Sequence, residues 1–190
     1  ANIATGAWPY RHGISRNRWY GQERKQYCVE DPEAAVIDSS SDDPFRGRSP
    51  RNLRGPTFGD TLKNHDHRSR VVSVAIKDRA AILMGVYRAD AALWMDFGGR
   101  WTTSRFYRKD GSLPAWLEAI NTRIHAKAGQ SYAIKYRSTT GLVDDGEQEV
   151  NLSVKRSDYR ALATPYGDEL TLAVVEGAIK AHELGADTVP

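Results

Sequence analysis

The residues best placed to do chemistry are Lys77, Asp78 and Arg79, three charged side chains inside the otherwise apolar run VVSVAIKDRAAILM. A lysine and an arginine two positions apart offer a compact ammonium and a planar fork of guanidinium donors. Delivered together at the end of a strand, they suit an anion with two negative charges, such as a phosphate monoester. Lysine and arginine are rare within apolar surroundings unless something pairs with them. An isolated Lys-Asp-Arg triplet is more often a charged turn after a strand, so its neighbours decide.

Val71, Val72, Val74 and Ile76 predict a buried strand, because β-branched residues in a short apolar run favour the pleated state. Ala80 to Met84 suits a helix, which puts the triplet where a core strand reaches the edge of its sheet. Ala1 to Tyr20, punctuated by Gly6, Pro9 and Gly13, reads as a short helix followed by loop. Asn17 lies in that segment; its amide can donate to an anion, although alone it reads as a turn residue. Gln26 to Val29 reads as a short strand. Residues 39–56, SSSDDPFRGRSPRNLRGP, lack periodicity and read as a long loop. Its Arg46, Arg48, Arg51 and Arg54 read as a solvated run ahead of an anion patch.

Thr57 to Asn64 begins with a Thr-x-x-Asp capping signal. Ala92 to Asp96 and Trp101 to Tyr107 predict a hairpin joined through Gly98 and Gly99. Leu113 to Arg123 and Asp168 to Leu184 predict helices, the second stopped by Gly185. Residues 128–163 carry weak patterns, with EVNLSVK the best strand, and read as an insert-like region. Helices alternating with apolar strands point to a layered α/β domain spanning residues 1–190.

Of 190 residues, 40% are hydrophobic and 27% charged, ordinary values for a globular chain. The net charge of +3 arises from 27 basic and 24 acidic residues that are interspersed, so no strong nucleic-acid footprint follows. No apolar run approaches membrane-spanning length. Cys28 is the single cysteine and reads as an inert structural thiol. The histidines of His65-Asp66-His67 lack a third ligand at familiar spacing and read as a solvated loop. No phosphate-binding glycine loop and no nucleophile elbow is present. Neither an initiator methionine nor a signal segment opens the sequence, and both ends read as cuts through a longer protein.

Several segments line up in order with one family. ATGAWPYRHGISRNRWY, SPRNL, VSVAIKDRAAI, the Ala89–Asp96 text with the Thr103–Tyr107 strand after it, LPAWLEAIN and TPYGDELTLAVVEGAIKAHELGAD resemble the alkaline phosphatase superfamily. The branch resembled is that of monomeric bacterial enzymes with a threonine nucleophile. The resemblance implies an α/β/α sandwich, here incomplete at both ends, and phosphate-monoester hydrolysis in the parent protein. It assigns the Lys77-x-Arg79 pair and Asn17 to the oxygens of the transferred phosphoryl group, gives Asp78 the place of a spacer, and gives His12 no catalytic role. It puts the nucleophile just upstream of Ala1 and the ligands of two zinc ions outside residues 1–190, so no catalytic nucleophile and no metal ligand is expected in this chain. A periplasmic or secreted location and a need for the rest of the parent domain to fold are also implied. The alternatives are a phosphodiesterase or nucleotide pyrophosphatase of the same superfamily, and a non-catalytic anion- or nucleic-acid-binding module using the Arg46–Arg54 loop.

Overall fold

The strand ahead of the charged triplet forms as β3 (Val72–Ala75), and the triplet's last two residues open the helix α4 (Asp78–Gly85) that follows it. The computed structural model describes residues 1–21, 23–37, 46–85, 87–126, 131–140, 143–153 and 165–186. Helix α4 leads into β4 (Ala91–Met95), which pairs parallel with β3 in the register Val72↔Ala91 to Ala75↔Trp94. A strand, a crossover helix and a parallel strand make a βαβ unit, whose layout places the strand-to-helix turn at the sheet's carboxyl edge. The short β5 (Trp101–Thr102) pairs antiparallel with β4, completing a sheet of order β3-β4-β5. The predicted hairpin forms, but its second strand ends at Thr102, and the Arg105–Tyr107 end of the expected strand is a turn closed by Tyr107 N donating to Ser104 O at 3.0 Å. The hairpin turn needs Gly99, which adopts φ 76° while its N–H bonds Asp96 O at 3.1 Å.

The sheet buries both faces, as the period-2 alternation of β4 shows. Ala91, Leu93 and Met95 face one core with Trp101, Leu113, Leu117, Ile120, Leu170 and Val174. Apart from Leu113, just ahead of α5, these partners come from β5, from α5 (Ala115–Ala126) and from α6 (Pro165–Ala181). Ala92 and Trp94 face a second core with Ala81, Ile82 and Leu83 of α4, and with Ile14, Tyr27, Val29 and Leu53. Helices on both faces of one sheet give the layered α/β arrangement expected. Strand β3 is half-buried along its length, not fully buried, because it is an edge strand with β4 on one side only among the described residues. Helix α6 starts and ends three residues earlier than its apolar pattern predicts, and Leu172 and Ile179, read as part of its apolar surface, are exposed.

The amino-terminal segment forms α1 (Asn2–Thr5), α2 (Pro9–His12) and β1 (Arg18–Tyr20), which pairs antiparallel with β2 (Lys25–Tyr27). Helix α3 (Phe58–His65) carries the predicted capping box: Thr57 accepts from Asp60 N, and the Asp60 carboxylate accepts from Thr57 N. A hairpin of β6 (Ser131–Thr140) and β7 (Val143–Ser153) accounts for most of the weakly patterned region and contains the EVNLS of the strand predicted there. Residues 39–45 of the predicted loop, and 128–130, 141–142 and 154–163 of the insert-like region, lie outside the described residues. No helix among the described residues is long and apolar enough to cross a membrane.

Candidate phosphate site

Asn17, Lys77 and Arg79 converge on one cavity of about 470 Å³, although Asn17 lies far from the other two in sequence. Each arrives by a different route. Lys77 follows β3 and caps α4, its carbonyl accepting from Ala80 N at 3.0 Å and Ala81 N at 3.2 Å. Its side chain is exposed. Arg79 sits in the first turn of α4, where the backbone N–H groups lack helical partners and leave partial positive charge. Asn17 precedes β1; its carbonyl accepts from Cys28 N at 2.9 Å, which ties its backbone to the end of β2.

Asp78, read from the sequence as a spacer, is the anchor of this wall. Its Oδ1 accepts from Tyr27 Oη at 2.7 Å and from Arg79 N at 2.7 Å. Its Oδ2 accepts from Arg48 Nε at 2.6 Å, in an ion pair whose side chains are only 11% and 20% exposed. The Arg48 guanidinium lies 4.9 Å from the centre of the Tyr27 ring, and that of Arg18 lies 5.1 Å from it. Arg79 Nη1 donates to Tyr27 Oη at 3.4 Å. Burial, followed by the Asp78 carboxylate, pushes the Tyr27 phenol well above its ordinary range and keeps it neutral. The Tyr27 hydroxyl in turn holds Arg79 still more firmly protonated. Beside them the Cys28 thiol is pushed up to about 11, first by burial and then by Asp78, which fits its expected inertness.

The arginine-rich segment is pinned down. Gly47 O accepts from Asp31 N at 2.9 Å, Arg48 N donates to Ala34 O at 2.7 Å, and Ser49 N to Val29 O at 3.0 Å. A Cβ on Gly47 would stand 2.0 Å from Asp31 O, so only glycine lets this strand of chain close in. Arg51 pairs with Asp31 at 2.8 Å, and Arg46 lies over the exposed Phe97 ring at 5.6 Å. The segment is thus a loop as predicted, but Arg48 and Arg51 face carboxylates where a solvated run was expected.

Five cations (Arg18, Arg46, Arg48, Lys77, Arg79) and two carboxylates (Asp78, Asp96) line the cavity, so its charge favours an anion. Trp94, Ile76, Val36, Met95 and Phe97 add an apolar share of the lining. Sequence reasoning gave Tyr27 no role, took Asp78 for a spacer and Arg48 for part of a solvated run. Their association has no local signal, because Tyr27 and Asp78 are 51 positions apart and meet only in the folded chain.

His12 is fully buried between Asn2 Oδ1, 2.7 Å from Nε2, and the Ile14 N–H, which donates to Nδ1 at 3.1 Å. Both ring nitrogens are engaged, so it is a structural histidine. Asp66 accepts from Arg68 at 2.7 Å. Among the described residues no group of three or more His, Cys, Asp or Glu side chains converges to hold a metal.

No protein-family model matches the chain. It is 31% identical to the alkaline phosphatase PafA of Elizabethkingia meningoseptica over 99% of this chain and 38% of that protein. It is 32% identical to the alkaline phosphatase PhoV of Synechococcus elongatus over 97% of this chain and 37% of that protein. The crystal structure of wild-type PafA superposes with a TM-score of 0.75 at 26% identity, covering 99% of this chain and 40% of that one. A PafA variant with a threonine replaced by serine, and an asparagine, a lysine and an arginine replaced by alanine, superposes at 0.72 and 24% identity with the same coverage. The chain therefore spans about two fifths of the length of the relatives it matches.

Proposed function

We propose that residues 1–190, which resemble a segment of bacterial alkaline phosphatases in sequence and fold, form the phosphate-binding wall of a phosphate-monoester hydrolase. The observation that carries this reading is the meeting of Asn17, Lys77 and Arg79 on one cation-lined cavity. The lysine and arginine replaced in the PafA variant are two positions apart, as Lys77 and Arg79 are, which supports the same reading.

Phosphoryl transfer spreads charge over three equatorial oxygens, so preplaced donors supply much of the catalysis. In the proposed site Lys77 gives a point charge, Arg79 a fork of N–H donors and Asn17 a neutral amide donor. A monoester dianion carries one more charge than a diester, and the Lys77–Arg79 pair favours the former. Among the described residues no cluster fits the two zinc ions that the resemblance implies, and the threonine nucleophile it implies is likewise a matter of the resemblance. We assign them to chain beyond residues 1–190, and assign the parent protein to the periplasm or the exterior.

The test is hydrolysis of an aryl phosphate and of the matching diester by the full-length protein, alongside residues 1–190 alone. Monoester preference in the full-length protein and no turnover by the segment are expected. A diester preference would overturn the reading in favour of a phosphodiesterase. Steeply salt-dependent nucleic-acid binding by the segment, with no hydrolysis by the whole, would favour a binding module.

A further inference from the structure

Arg79 has a long side chain with many rotamers, and a phosphate-binding arginine works only when its fork is held in one orientation. Its neighbour Asp78 cannot hold the fork directly, because adjacent residues of a helix point in different directions. The tyrosine between them resolves this. Tyr27 Oη donates to Asp78 Oδ1 at 2.7 Å and accepts from Arg79 Nη1 at 3.4 Å. Arg48 holds the other carboxylate oxygen at 2.6 Å, so Asp78 cannot swing away. The Tyr27 ring is itself fixed by strand pairing with Arg18 and by the two guanidinium groups against it.

We propose that Tyr27 and Asp78 are positioning residues that orient the Arg79 guanidinium for a phosphate monoester. The proposal rests on the phosphate-site reading above and deepens it. Tyr27 acts through Arg79 and transfers no proton. Its own proton is committed to Asp78, and burial with the nearby carboxylate keeps the phenol neutral. At 3.4 Å the hydroxyl steers the guanidinium without consuming it, leaving the other N–H groups of the fork for the anion.

The experiment is a double-mutant cycle in the full-length protein, with Tyr27→Phe, Arg79→Ala and both together, read as kcat/KM for an aryl phosphate and for its diester. Tyr27→Phe removes one oxygen and keeps the ring. A drop of about tenfold in monoester kcat/KM is expected, the size of one hydrogen bond to a charged group. Diester kcat/KM should barely move, and Tyr27→Phe should add no loss once Arg79 is alanine. Asp78→Asn taken through the same cycle should repeat the pattern. Additive losses, or equal losses on monoester and diester, would overturn the tether while leaving the phosphate site standing. Wild-type monoester activity in Arg79→Ala would overturn the site assignment and the tether with it.

Discussion

Replacing Asp78 by asparagine tests whether this residue is an anchor or a spacer. The carboxylate accepts from Tyr27 Oη, Arg79 N and Arg48 Nε, all between 2.6 and 2.7 Å. An amide offers one acceptor oxygen where the carboxylate offers two. With the oxygen toward Tyr27, the new NH₂ faces the Arg48 donor. Flipped, it faces the Arg79 N–H. One donor loses its acceptor either way, and the Arg48 ion pair becomes at most a bond from a cation to a neutral amide. Losing one charge-assisted bond costs about 1.5–3 kcal/mol, and residual exposure at the pair places the total near 2 kcal/mol. The urea slope grows with protein size and exceeds the roughly 1–3 kcal/mol/M of small domains, so the unfolding midpoint of the full-length protein should fall by a few tenths of a molar, on the order of 0.3–0.6 M. Tryptophan fluorescence reads it, since Trp94 lines the same cavity. A change in midpoint within error would refute the anchor, because a spacer on a surface turn costs almost nothing.

Three further outcomes follow from the packing. Asn121 is buried on α5 and bonds both the N–H and the C=O of Trp101, at 2.8 and 2.9 Å. Asn121→Leu orphans two buried backbone groups and should cost roughly 2–5 kcal/mol in urea unfolding; a loss below about 1 kcal/mol would contradict that role. A Cβ on Gly177 would stand 2.8 Å from Trp116, so Gly177→Ala should destabilise the α5–α6 contact. Overpacking of about 1–3 kcal/mol outweighs the gain of about 1 kcal/mol in helix propensity, and a stabilised variant would refute the close approach. Burial holds His12 and His182 below the ordinary 6.5, so the folded state binds fewer protons than the unfolded one. Their contribution is fully present above 6.5 and is lost as pH falls below it, which lowers the urea midpoint on mild acidification. A midpoint that rises instead would contradict the neutral His12 geometry.

The local signals in the sequence carried far. The Thr57–Asp60 capping box, the β4–β5 hairpin and the βαβ unit around the charged triplet all follow from residue type and period. The three phosphate-site candidates were legible only through an ordered resemblance, since each alone reads as a turn or a surface charge. The partners of Asp78 were hidden because a residue's neighbours in sequence say nothing of Tyr27 and Arg48, which reach it through the tertiary fold. Arg48 was misread as solvated for the same reason: its carboxylate partner lies 30 positions away. The half-burial of β3 reflects sheet position, which an apolar run does not encode.

The proposed site has Lys77 and Arg79 bind the phosphoryl group of a monoester. Its most direct test is kcat/KM for a matched monoester and diester in Lys77→Ala and Arg79→Ala variants of the full-length protein. Each variant is expected to lose about 10²–10³ on the monoester, the range for removing one donor aimed at developing charge, with much less lost on the diester. Wild-type monoester turnover in both variants would contradict the account.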